Sequence, residues 1–170
     1  LKRDAMDCVT NAFDEYAIEE ALLTRENHDG EIVAISMGPE KAMDVLRNCL
    51  ALTVNEVKLC TDAAFEGSDT FATASVLAAA IKKVGDVDIV YCGKQSTDGN
   101  TGVVGAALAS ILGWSQLTYV SKIRSIDGAG KKIVVERAIE GGTEVVEAKL
   151  PAVVSVLKGI NEPRLPNLMG

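Results

Sequence analysis

An α/β fold built on a doubly wound, mostly parallel sheet is predicted by three features of this 170-residue chain. Short apolar runs of strand length alternate with amphipathic helical stretches, the junctions between them are marked by Gly, Pro, Asp and Thr, and the texture turns purely β after residue 115. The repeated unit is βαβ, which calls for parallel strands and right-handed crossovers, and the late β texture adds an antiparallel segment. A hydrophobic fraction of 48% gives one domain of this length a solid core, so residues 1–170 are read as a single α/β domain.

The first trusted element is a helix from about Phe13 to Glu26, with an apolar stripe of Phe13, Ala17, Ile18, Ala21 and Leu22. Asn11 and Asp14 supply its N-terminal cap and first-turn acid. Leu1 to Thr10 carries no strand pattern. A doubly wound sheet rarely begins on a helix, so a first strand is expected ahead of the residues given. Ile32 to Met37 is nearly continuous in apolar residues, as a strand buried on both faces should be. Gly38-Pro39 stops it and opens a helix whose stripe is Ala42, Val45, Leu46, Cys49 and Leu50. Val57 to Cys60 is a shorter strand, and Glu66 to Thr70 caps an Ala-rich helix ending near Val84-Gly85. Asp88 to Cys92 is the next buried strand. After Trp114, which reads as a core plug ahead of an interface anchor, Leu117 to Ile126, Lys132 to Ile139 and Glu144 to Ala148 are strand-like. Asp127-Gly128-Ala129-Gly130 and Glu140-Gly141-Gly142 are the turns between them. Pro151 to Leu157 is one further buried strand, and Asn161 to Gly170 has no regular pattern.

The junction after Tyr91-Cys92 carries the chemistry. Gly93, Lys94, Gln95, Ser96, Thr97, Asp98, Gly99, Asn100, Thr101, Gly102, Val103 and Val104 lead a buried strand through small polar residues into a helix. Backbone amides there can face an anion at the positive end of the helix dipole, and Gly99, Gly102 and Gly105 let the main chain come close. The same pattern fits an ordinary strand-to-helix loop with a Thr cap, and context decides between them. Asp98 reads as a turn-former bonding its own loop, or as a contact to a ligand hydroxyl. His28, the single histidine, lies in the polar stretch Glu26 to Gly30, and nothing places it beside this loop as a catalytic base. A GK[ST] Walker pattern and a GxGxxG fingerprint are both missing, so a nucleotide held here is held without being hydrolysed.

Composition works by exclusion. A formal charge of −7 and a pI near 4.8, with no basic stripe among aromatics, argue against nucleic acid. No run approaches the ~18 apolar residues of a membrane span. Cys8, Cys49, Cys60 and Cys92 lack CxxC spacing and read as reduced core thiols, with neither disulfide nor metal.

Three stretches resemble the β subunit of electron transfer flavoprotein. Gly93-Lys94-Gln95, with Asp98 and Thr101 to Gly105, is similar to that family's nucleotide loop. Asn11-Ala12-Phe13-Asp14 resembles its Asn-Pro-Phe/Tyr-Asp segment, with Ala12 standing where Pro is usual. Val135 to Val146, continued by Leu150 to Ser155, fits the family signature, and Asn161 to Arg164 and Leu165 to Met169 extend the likeness over almost the whole chain. The resemblance implies the adenine nucleotide alpha hydrolase-like version of the fold. It also implies an electron carrier rather than an enzyme, pairing with an α subunit on which the redox FAD largely lies. Redox partners would be acyl-CoA dehydrogenases or similar proteins, in the bacterial cytoplasm or the mitochondrial matrix. The β chain of that family holds a second nucleotide, AMP in ordinary members and FAD in electron-bifurcating ones. The contacts carried over are Asn11, Ala12, Phe13 and Asp14, then Met37 and Gly38, then Gly93 through Val104.

Asp98-Gly99-Asn100-Thr101 followed by Gly102-Val103-Val104-Gly105 is more similar to the bifurcating pattern, which favours FAD over AMP. Gly102 and Val103 depart from that pattern's Ala and Gln. By the same resemblance, the step from Arg164 to Leu165 is short by about three residues, and a partner-docking loop and C-terminal arm are expected beyond Gly170. Exposed strand edges in the β-rich segment also ask for a partner or a cover. Two other classes fit the loop: an adenine-nucleotide sensor or stress-type module without flavin, and a nucleotide alpha hydrolase or ligase. The first leaves the β-rich segment unexplained and the second lacks a candidate base.

Overall fold

The structure, a computed structural model, describes residues 7–166. The expectations for residues 1–6 and for the last four positions lie outside the described residues. Eleven elements follow in order: α1 (Ala12–His28), β1 (Val33–Met37), α2 (Met43–Ala51), β2 (Glu56–Cys60), α3 (Thr70–Val84), β3 (Ile89–Gly93), α4 (Val104–Leu112), β4 (Ser115–Asp127), β5 (Lys132–Ile139), β6 (Gly142–Lys149) and β7 (Ala152–Val156). The fold is α/β, with parallel and mixed sheets.

The single sheet expected from the sequence is divided. β1 and β2 form a parallel pair of their own, and a second sheet runs in the order β3-β7-β4-β5-β6. No backbone ladder joins β1 to β3. Ile35 of β1 and Val90 and Cys92 of β3 meet instead on a cluster built by Ala74, Ala78 and Ile81 of α3 with Leu108 and Ala109 of α4. Sequence patterning identifies strands by burial and cannot see which of them share hydrogen bonds.

β7 is the centre of the larger sheet, parallel to β3 on one side and to the start of β4 on the other. All five of its residues are buried because helices cover both of its faces. Ala152, Val154 and Val156 enter the cluster shared with Ala17 of α1, and Val153 enters the cluster of α3 and α4. β4 runs parallel to β7 over Ser115–Leu117 and antiparallel to β5 over Val120–Asp127, so one long strand carries the sheet from its parallel to its antiparallel part. The expected hairpins β4–β5 and β5–β6 are present.

The helices follow the sequence closely, with informative differences. Asp69 caps α3 by accepting from the Ala72 N–H at 2.8 Å, and Gly85 ends it at φ 73°. The helix expected directly after Gly38-Pro39 opens instead as a 3₁₀ turn over Glu40–Ala42 before α2 begins. Leu50, expected on the buried stripe of α2, is 43% exposed, whereas Ala42, Leu46 and Cys49 are buried. α1 extends to His28, which therefore closes a helix and is exposed. The buried residues of α1 include Glu19 and Glu20, which an apolar stripe does not announce. Their partners come from far along the chain. The Arg164 side chain donates to Glu19 and to Glu26, and Asn161 Nδ2 donates to Glu20 and to the Tyr16 carbonyl. Trp114 packs against the cluster of α3 and α4, as a core residue.

Candidate functional site

The N-terminus of α1 and the carboxyl end of β3 are pressed together. A Cβ added at Gly93 would lie 2.6 Å from the main-chain carbon of Phe13, so this glycine is dictated by the close approach of another backbone. Asp14 Oδ1 accepts from the Gly93 N–H at 2.6 Å. Asn11 then uses both ends of its amide. Its Nδ2 donates to Asp14 Oδ2 at 2.8 Å and to the Gln95 carbonyl at 2.9 Å, and its Oδ1 accepts from the Thr97 N–H at 3.1 Å. Two stretches more than eighty positions apart in sequence are thus brought into one polar clasp.

Within the loop, the amides fall into two groups. Some are bonded within the protein: Lys94 N–H donates to the Val156 carbonyl, Gly99 N–H to Ser96 Oγ and to Asp98, and Asn100 N–H to the Ser96 carbonyl. Gln95 Nε2 donates to Asn100 Oδ1 at 2.6 Å. The amides of Gly93, Lys94, Thr97, Gly99 and Asn100 are thus taken by protein acceptors, and the start of α4 is left without a capping side chain at Val103. Gly102 there has φ 64°. Gly105 has a packing reason of its own, since a Cβ would meet Cys92 Sγ at 2.9 Å. Asp98 is the turn-former that its sequence setting suggests, accepting from the Gly99 N–H at 2.7 Å.

The remaining expected contacts are placed less tightly. Met37 and Gly38 lie at the carboxyl end of β1, where Met37 pairs with Cys60 and the Gly38 N–H donates to the Cys60 carbonyl, in the separate two-stranded sheet. Ala12 is exposed at the first turn of α1, and Ser96 to Thr101 are exposed on the surface of the loop. Recesses of about 290 and 550 Å³ flank α1, the first beside Glu19, Cys49 and Arg164 and the second beside Glu20, His28 and Arg124, and neither includes a residue of 93–104.

Burial sets the chemistry beneath the loop. It pushes the Cys92 thiol up to about 12, with the Asp14 charge acting in the same direction, so this sulfur stays protonated and unreactive. Burial also raises Tyr91, whose hydroxyl shares a hydrogen bond with Thr24, and it raises Cys49. The loop holds no nucleophile and base pair.

One contact escaped the sequence reading. The Lys94 ammonium lies 5.5 Å from the centroid of the Tyr119 ring, which reaches it from β4. Tyr119 shares its parity with the buried Leu117, so alternation along the strand points it inward, and only the register shift between Leu117 and Val120 turns it out.

The α/β scaffold that carries this clasp belongs to a known class: the chain matches the model of the electron transfer flavoprotein domain over residues 2–170 and is a member of that family. Among its relatives, it is 43% identical over 168 residues to protein FixA of Azorhizobium caulinodans, covering 96% of this chain and 60% of that protein. It is 43% identical over 170 residues to electron transfer flavoprotein subunit beta of Thermoanaerobacterium thermosaccharolyticum, covering 100% of this chain and 64% of that subunit. To the caffeyl-CoA reductase-Etf complex subunit CarD of Acetobacterium woodii it is 40% identical over 169 residues, covering 99% and 63%. The chain spans about three fifths of the length of these curated relatives. A flavin-free sensor finds no support among them. No helix of the described residues is long and apolar enough to cross a membrane.

Proposed function

We propose that this chain is the nucleotide-holding part of an electron transfer flavoprotein β subunit, binding FAD, or alternatively AMP, where α1 meets the loop after β3. The observation that carries the reading is the clasp of Asn11 and Asp14 on Gly93, Gln95 and Thr97, which presents the uncapped start of α4 at the carboxyl end of a parallel strand. Gly102, Val103 and Val104 would face the phosphate end of the nucleotide, and Gln95 and Asn100 hold the turn that leads to them. Met37 and Gly38 would flank the site from β1. A bound flavin supplies the electron chemistry, while this chain anchors and orients it.

The loop sequence Asp98-Gly99-Asn100-Thr101, similar to the bifurcating pattern, supports the electron-bifurcating type, and with it FAD in this site. The adenine nucleotide alpha hydrolase-like classification of the fold, pairing with an α subunit, exchange with an acyl-CoA dehydrogenase or similar redox partner, and a cytoplasmic setting complete the reading. Co-expression with a candidate α subunit, followed by extraction and chromatography of the bound nucleotides, tests it. Two FAD per heterodimer are expected. One FAD with one AMP rejects the bifurcating assignment, and a complex without nucleotide rejects the site.

A further inference from the structure

We propose that β1 and β3 are the two walls of a slot for one more parallel strand, supplied by this polypeptide ahead of Leu1, which joins the two sheets into one. The inference is independent of the nucleotide that the neighbouring loop holds.

Each wall has a free side. In β1 the Gly38 N–H donates to the Cys60 carbonyl, and in β3 the Lys94 N–H donates to the Val156 carbonyl while the Asp88 carbonyl accepts from the Ala152 N–H. Backbone groups point to alternate sides along a strand, so those of Val33, Ile35 and Met37 turn away from β2 and those of Ile89 and Tyr91 turn away from β7. Among the described residues no ladder meets either row. The Gly93 N–H points the same way as that of Tyr91, and Asp14 at the start of α1 closes that end by accepting from it.

Composition separates these inner edges from the outer ones. β2 and β6 are also paired on one side only, and they carry Glu56 and Lys58, and Glu144, Glu147 and Lys149, the charges that keep a strand edge in water from pairing. β1 and β3 carry neither charge nor proline. Yet every residue in them is only half-buried, whereas β7, paired on both sides, is buried throughout. The two walls share a layer, because Ile35, Val90 and Cys92 rest on one cluster of α3 and α4, and Ala17 of α1 covers Ile89 and Tyr91 from the other face.

α1 decides the occupant. It starts with Phe13 against Gly93, at the carboxyl end of β3, and hands the chain on to the start of β1. A helix so placed is the crossover of a βαβ unit whose first strand ends at the same end of the sheet. Covered on both faces, that strand takes about five residues that are nearly continuous Val, Ile or Leu. Once seated, its ladders set the distance between Met37 and Gly93.

The test is NMR of the natural polypeptide with the residues ahead of Leu1 retained. One upstream segment is expected to give cross-strand contacts to both Ile35 and Tyr91. The amides of Ile35, Met37, Ile89 and Tyr91 should exchange at least about a hundredfold more slowly than those on the outer edge of β6. Deleting the segment should return these four to edge-like exchange, while Ala34, Ser36, Val90 and Cys92 stay protected by β2 and β7. Should the shortened form fail to fold, a proline placed within the segment of the intact chain must release the amides of β1 and β3 together. An upstream sequence with no apolar run of strand length overturns the proposal. So do exchange at the four amides as fast as on β6, contacts running directly from Ile35 to Tyr91, and contacts that arise only between differently labelled copies of the chain.

Discussion

Gly93 shows how a single hydrogen atom in place of a side chain sets the site. Gly93→Ala would place its methyl group 2.6 Å from the Phe13 backbone, which cannot swing aside as a flexible side chain could. We expect a loss of about 2–3 kcal/mol in urea unfolding, since overpacking of this kind forces a main-chain shift. Arg164→Ala acts by the opposite route, leaving the buried Glu19 carboxylate without its charged partner, and about 2 kcal/mol should be lost. Glu20 titrates above its ordinary value of 4.5, chiefly because it is buried, with the Asn161 hydrogen bond opposing and the Glu19 charge adding to the rise. The folded state therefore binds this proton more readily than the unfolded one. Glu20's contribution to stability falls as pH rises from about 4.5 through the raised value. In thermal melts against pH, Glu20→Gln should lose that part of the pH dependence, and an unchanged profile would contradict the assignment. Residue chemistry of this kind was only half legible. Asn11 and Asp14 stood out as a cap, and their grip on Gly93 and Thr97 depends on a chain reversal that no local pattern encodes. The burial of Glu19 and Glu20 has no local signal, because their partners lie about 140 positions away.

At the scale of elements, sequence pattern was most informative where burial repeats. The run of β7 was legible because both faces are covered, and the two hairpins were legible from their glycine-rich turns. The double role of β4 was not, since alternation looks the same whether the neighbouring strand is parallel or antiparallel. Val154→Ala, in the middle of β7, should cost about 2 kcal/mol through lost burial and the space left behind. Amide hydrogen exchange should rank β7 as the slowest strand and the outer edge of β6 among the fastest, because β7 is paired on both sides and β6 on one. Comparable rates in the two strands would contradict this order.

For the molecule as a whole, family membership was legible in short stretches spread over almost the entire chain, and the extent of the sheet was not. The βαβ repeat announces parallel strands without saying that hydrogen bonding stops between β1 and β3. That interruption bears on the spacing of the two strand ends from which Met37 and Gly93 emerge. Continuous sheets fix such distances in steps of about 4.8 Å per strand. Among the described residues the gauge is the bulk of the small side chains on α3, so adding one or two carbons at Ala74 or Ala78 is expected to set those two ends further apart, a separation that a continuous ladder would not allow.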